Sequence, residues 1–141
     1  MLSSLLIRMK RFIILIFIVG VCELSIHCRT LYSCFLSMDY NFDTGEISNQ
    51  ITNNSLADIY IDGNKMTLGS KRYSMYNERE SNDGFIKVKH YDAIDAEGQR
   101  CKIKIIYDAS ADWTTRNAIV IWYDEISPIG KWYQSRDPET R

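Results

Sequence analysis

The sequence predicts an all-β protein: a small antiparallel meander of about 7–8 short strands, forming a barrel or sandwich and preceded by an N-terminal hydrophobic signal segment. Three observations predict it. Apolar and polar residues alternate with a period of two along several stretches, Asp or Asn beside Gly recurs between those stretches, and the chain carries nine Tyr, five Phe and three Trp but only two Pro.

The first stretch follows a different rule. Met9-Lys10-Arg11 and the apolar run Phe12 to Cys22 have the basic and hydrophobic regions of a secretory signal, and Glu23 ends the run well short of the ~20 apolar residues of a spanning helix. Residues 1–28 are therefore expected to act as the signal segment, to make the chain's sole membrane contact, and to send the protein to the periplasm, the cell surface or the medium. A lipid-modified Cys22 or Cys28 fits badly, because Val21 and His27 stand where a small residue belongs. Removal of the first 22 residues also removes Arg8, Lys10 and Arg11, taking the net charge from −1 to −1 − 3 = −4. A mildly acidic remainder is poorly suited to nucleic acid, which is bound through clustered Lys and Arg.

Residues 29–126 are expected to hold the β domain. In "YSCFLSMDYNF" the alternation places Tyr32, Cys34, Leu36, Met38, Tyr40 and Phe42 on one face, with Phe35 as the exception on the other. "DTGE", "DGN", "NDG" and "DAEG" then separate "LADIYI", "KMTLGS", "RYSMYN", "FIKVKHYD", "CKIKIIYD" and "AIVIWYDE". Parity puts Ile59 and Ile61, Met66 and Leu68, Tyr73 and Met75, Ile86 and Val88, and Cys101, Ile103, Ile105 and Tyr107 on the apolar side of their strands. "AIVIWYDE" is apolar on both sides, so it is covered on both or exposes a surface for something else. "ASADWTTRN" makes at most one helical turn. Residues 127–141 contain both prolines, end polar, and are expected to leave the sheet as a tail.

The motif census is sparse. "HYDAIDAEGQR" fails as a calcium loop: with Gly98 sixth, Ala93 falls at the first ligand position and Lys104 at the twelfth, so Asp95 to Gly98 is a hairpin turn. No spacing of Cys, His or Glu indicates a metal, no glycine-rich loop follows a strand, and no cofactor is expected. His90 and Asp92 share a strand face, an arrangement more often structural than catalytic. Asn53-Asn54-Ser55 matches a glycosylation sequon.

Two groups remain as candidate sites. Trp113, Trp122, Tyr123, Trp132 and Tyr133 can line a pocket or a stacking platform, since aromatic rings offer flat apolar area with a polar tip. Lys87, Lys89, Arg100, Lys102 and Lys104, interleaved with Phe85 and Tyr91, form a basic stripe able to hold an anionic ligand. Cys34 and Cys101 lie on apolar faces and are either bridged as a disulfide or merely packed. The expected function is a non-enzymatic binding module for a small apolar ligand or an envelope or extracellular protein. The rival is an exported hydrolase or hydrolase inhibitor using acids among Asp92, Glu97, Asp108, Asp112 and Asp124. A third expectation is docking by strand addition, which a fully paired "YSCFLSMDYNF" would weaken.

Overall fold

A computed structural model describes residues 29–141, so the signal segment, His27, Cys22 and Cys28 lie outside the described residues. Nine strands follow one another without a helix: β1 (Thr30–Asn41), β2 (Ile47–Asp62), β3 (Lys65–Leu68), β4 (Lys71–Asp83), β5 (Ile86–Asp95), β6 (Arg100–Asp108), β7 (Asn117–Trp122), β8 (Ile129–Ser135) and β9 (Glu139–Thr140). Each pairs antiparallel with its successor from β1 to β8, and β8 returns to β1, so the sheet closes on itself as a ring. Closure spares the sheet two long unpaired edges. Strand β9 adds a short continuation beside Thr30 and Leu31, on the edge of β1 that β8 also uses.

Three hairpins turn through two residues that begin with glycine: Gly63-Asn64, Gly69-Ser70 and Gly84-Phe85. Gly63 and Gly84 both stand at φ 60°, the left-handed conformation that such tight loops impose on their first residue. The β5–β6 bend is made as expected, with Asp95 Oδ1 accepting the N–H groups of Glu97 at 3.0 Å and Gln99 at 2.9 Å.

The interior is filled from one face of every long strand. Ile59, Met66, Met75, Ile103 and Ile119 are buried together with Cys34, Tyr73, Ala93 and Cys101, and each large side chain so removed from water contributes roughly 1.5–3 kcal/mol. Parity holds on β2, β3, β4 and β6 for Ile59, Met66, Tyr73, Met75, Cys101 and Ile103, but it fails on β5, where Ala93 is buried and Ile86 and Val88 have the opposite parity, and Tyr107 on β6 is exposed.

Strand β1 departs from the expected alternation. Its buried positions are Leu31, Cys34 and Ser37: Leu31 is buried on the face opposite Cys34, and the register slip between Cys34 and Leu36 puts Ser37 on the inner face, with a second slip between Ser37 and Asp39. Opposite the first slip, β2 spends Asn53 to Leu56 on a wide bulge; opposite the second it places Asn49 at φ 51°. Each bulge re-aims the side chains beyond it, which a strict period of two cannot register.

Residues 127–141 are not a tail. Their strand β8 pairs with β7 through Ile119↔Tyr133 and Ile121↔Lys131 and with β1 through Ser37↔Tyr133 and Asp39↔Lys131, and thereby closes the ring. Both prolines stand outside the ladder, Pro128 before β8 and Pro138 before β9, where a missing N–H costs nothing. The "ASADWTTRN" segment is a turn-rich loop held by Asp108 and Asp112, each accepting from the hydroxyl and backbone N–H of a following Ser or Thr.

Candidate functional site

Register divides the expected aromatic site in two. Ile119 and Ile121 point inward; Tyr133 stands opposite Ile119 and faces the interior with it, whereas Trp132 stands opposite Val120 and faces out. Tyr123 also packs against the interior, and Trp122 lies on the outer face. Trp113 joins neither group: it sits in the β6–β7 loop at 57% exposure.

The outer group is a cover. Phe42 lies on Trp122 with ring centroids 4.1 Å apart and planes 18° from parallel, Tyr40 bridges Phe42 and Trp132, and the Trp122 indole N–H donates to Ser127 O at 2.7 Å. Beneath them Val120, an outward residue, is 1% exposed. This resolves the two-sided apolar strand: β7 is covered on both sides, from within by the core and from without by aromatic rings. The Lys104 ammonium stands 4.8 Å from the Phe42 centroid, and burial lowers its pKa.

The basic stripe is divided as well. Lys87 and Lys89 line a concavity at one end of the ring and are ion-paired with Glu80 at 3.2 Å and Glu78 at 3.8 Å. Lys102 and Lys104 are on the outer face, where Lys102 donates to Asp92 at 2.5 Å. Asp92 also accepts from Asn77 and Arg79, and these three donors hold its carboxyl well below the usual carboxylate range. Arg100 is exposed on the same face, beyond Lys102.

The rival catalytic groups do not converge. His90 bonds Ser81 Oγ at 3.0 Å rather than Asp92, and its pKa is lowered by burial, Lys104 and Arg79. Asp92 is on the outer face, Asp108 and Asp112 brace the β6–β7 loop, Glu97 is in the β5–β6 turn and Asp124 follows β7. Among the described residues, no group of three or more His, Cys, Asp or Glu side chains could hold a metal ion. Cys34 and Cys101 are free thiols rather than a disulfide, each buried in the interior, and burial pushes both up to about 12.

The inward aromatics border a concavity of ≈ 1270 Å³ at the end of the ring opposite Lys87 and Lys89. Tyr73, Tyr133, Ile121, Leu68 and Ala57 supply apolar wall, and Tyr123 stands at its rim with its hydroxyl donated to Asp95 at 2.7 Å. Lys131 and Asp39, bonded at 3.2 Å, put one neutralised ion pair on the wall. Asn49 Nδ2 completes Asp39 at 2.7 Å, and these two bonds keep that carboxyl ionised below its ordinary range. The concavity exists because β3 is only four residues long beside the 16 of β2 and the 13 of β4, so the wall stops early at Gly69-Ser70.

Of the aromatic residues singled out from sequence, the fold thus brings Tyr123 and Tyr133 to this concavity. It adds Tyr73, Leu68, Ala57, Asp39 and Lys131, which no motif marks. Phe42 and Tyr40 were likewise invisible as partners of Trp122 and Trp132, although Gly130 was a usable signal: a Cβ there would meet Phe42 Cε2 at 2.7 Å, and strand glycine often marks such an approach. Compared with known proteins, the chain matches no family model, no curated protein and no solved structure.

Proposed function

We propose that this is an exported, non-enzymatic binding module that holds an apolar ligand group in the concavity bounded by Tyr73, Tyr133, Ile121, Leu68 and Ala57. The observation that supports it is a concavity of ≈ 1270 Å³ whose apolar wall rests on the buried cluster of the ring and whose one ion pair is already internally neutralised. Sites for small molecules have this character, mostly apolar with a few polar groups that orient the occupant. With Lys131 and Tyr123 already bonded to Asp39 and Asp95, the lining groups Arg29, Lys71 and Asp58 are available for orientation. Export is the companion proposal, supported by the basic and apolar regions of residues 9–22.

The binding reading is tested with an uncharged environment-sensitive naphthylamine dye. Its emission should rise and shift to the blue on the native chain, and Leu68→Lys, which places an ammonium in the apolar wall, should weaken binding tenfold or more with the far-UV circular dichroism unchanged. No enhancement, or equal binding by the variant, removes the reading. Intact mass of protein recovered from medium or periplasm, with and without reductant, tests export, cleavage and cysteine state together.

A further inference from the structure

The concavity has one wall made of backbone rather than side chains. Strand β2 pairs along one edge with β1, apart from the bulges at Asn49-Gln50 and Asn53 to Leu56, but along the other it pairs with β3 only from Ile59 to Asp62. From Ile47 to Asp58 that second edge has no strand partner among the described residues, and it meets the concavity at Leu56, Ala57 and Asp58. Among the described residues, bonds that involve a side chain reach the backbone of this stretch at Asn54 O, from Arg136, and at Ser55 N, to Asn53 Oδ1, and neither supplies a ladder.

Strand β4 also outruns β3, from Tyr76 to Asp83, yet its open edge carries Glu78, Arg79, Glu80 and Asp83, the charges that discourage another strand from pairing. The open edge of β2 carries no charged residue from Ile47 to Ala57 and exposes Ile47 and Ile51. One edge is guarded by charge; the other carries no charge and is interrupted only by the bulges at Asn49 and at Asn53 to Leu56.

We propose that the occupant is an extended polypeptide segment that adds a strand to β2 and turns an apolar side chain into the concavity; this rests on the binding reading above and names its ligand class. On either side of the bulge at Asn53 to Leu56, backbone N–H and C=O groups of β2 are left open to another extended backbone, and alternate side chains then fall into or away from the adjoining pocket. Charge favours an acidic residue in that segment. Lys131 and Asp39 cancel each other, leaving Arg29 and Lys71, neither in an ion pair among the described residues, against Asp58.

The test uses a synthetic peptide of about eight residues, an ordinary strand length, in which threonine and valine alternate and glutamate ends the chain. A second peptide differs only by N-methylation of alternate residues, which removes donors without removing apolar area. The first peptide should displace the naphthylamine dye and slow hydrogen exchange between Ile47 and Asp58 while leaving Tyr76 to Asp83 unchanged. The methylated peptide should bind about tenfold or more weakly, since losing a few net hydrogen bonds of about 1 kcal/mol each exceeds the 1.4 kcal/mol of a factor of ten. Equal binding of the two peptides, protection elsewhere, or no protection overturns the proposal. Dye binding that survives such a result leaves the binding reading standing, whereas absence of dye binding removes that reading by itself.

Discussion

Asn77 stands at φ 52° on β4 and donates its side-chain amide to Asp92 of β5 at 3.0 Å. Asn49 repeats the arrangement on β2, at φ 51° and 2.7 Å from Asp39 of β1. In both places a residue inserted into one strand is held in the left-handed conformation by an acid on the paired strand, and a lysine, Lys102 or Lys131, completes that acid. The device pins two register slips, one on the outer face and one at the concavity.

The first prediction follows from the backbone. Left-handed geometry costs a residue bearing a Cβ roughly 1–2 kcal/mol, which asparagine offsets by local hydrogen bonding and glycine avoids. Asn77→Ala should therefore lower stability by about 1–2 kcal/mol in urea denaturation. Asn77→Gly should lose less, and the order of the two variants is the decisive outcome.

Asp92 supplies a pH dependence. Its folded pKa lies below the unfolded value of about 3.9, held there by Lys102, then Asn77 and Arg79. The stabilisation is thus complete above that unfolded value and is lost as pH falls below it toward the folded pKa. Urea midpoints of the parent should decline in this acid window. Asp92→Asn should begin lower at pH 7 and decline less steeply between pH 5 and pH 2.

The free thiols give a chemical test. With Cys34 and Cys101 buried and pushed up to about 12, almost no thiolate forms at neutral pH. For protein spanning residues 29–141, Ellman's reagent at pH 7.5 should leave both unmodified in the native state and titrate both in guanidinium. Fast modification without denaturant would contradict their burial.

Gly130 can be tested by a single methyl group. In Gly130→Ala the new Cβ meets Phe42 and, at 3.1 Å, Trp122 Cβ, so Phe42 must leave its stack. Overpacking of this kind typically costs 1–3 kcal/mol. Thermal unfolding should report the loss, and near-ultraviolet circular dichroism should report the altered Trp122 environment.

Closure by β8 is tested by truncation. A chain ending at Ser127 loses the strand that pairs with both β1 and β7. It should expose two long edges and fail to give a cooperative unfolding transition. A folded, monomeric truncation would show that the ring does not depend on its last long strand.

Local order was legible in the sequence because side-chain period and turn chemistry are local. Alternation marked β5 and β6, the Asp-Gly and Asn-Asp-Gly pairs marked the hairpins, and Asp95 was readable as a turn former because its own backbone is its partner. The slips in β1 were hidden, since Asn49 and Asn53 to Leu56 are bulges only relative to the strand beside them. Residues 127–141 looked like a tail for the same reason: their polar composition is that of a strand whose Lys131 is satisfied by Asp39, 92 residues away, and whose backbone is paired with β1 by closure of the ring.

The sequence by itself determined that the chain pleats into antiparallel strands and where most of them turn. Tertiary structure alone decided that Tyr123 and Tyr133 face the interior while Trp122 and Trp132 roof the outside, that Lys102 serves Asp92, and that a four-residue β3 leaves β2 with an open edge. Those outcomes depend on register between strands far apart in the chain. Register is set by which side chains fill the common interior, a sum over all the strands that no one segment carries.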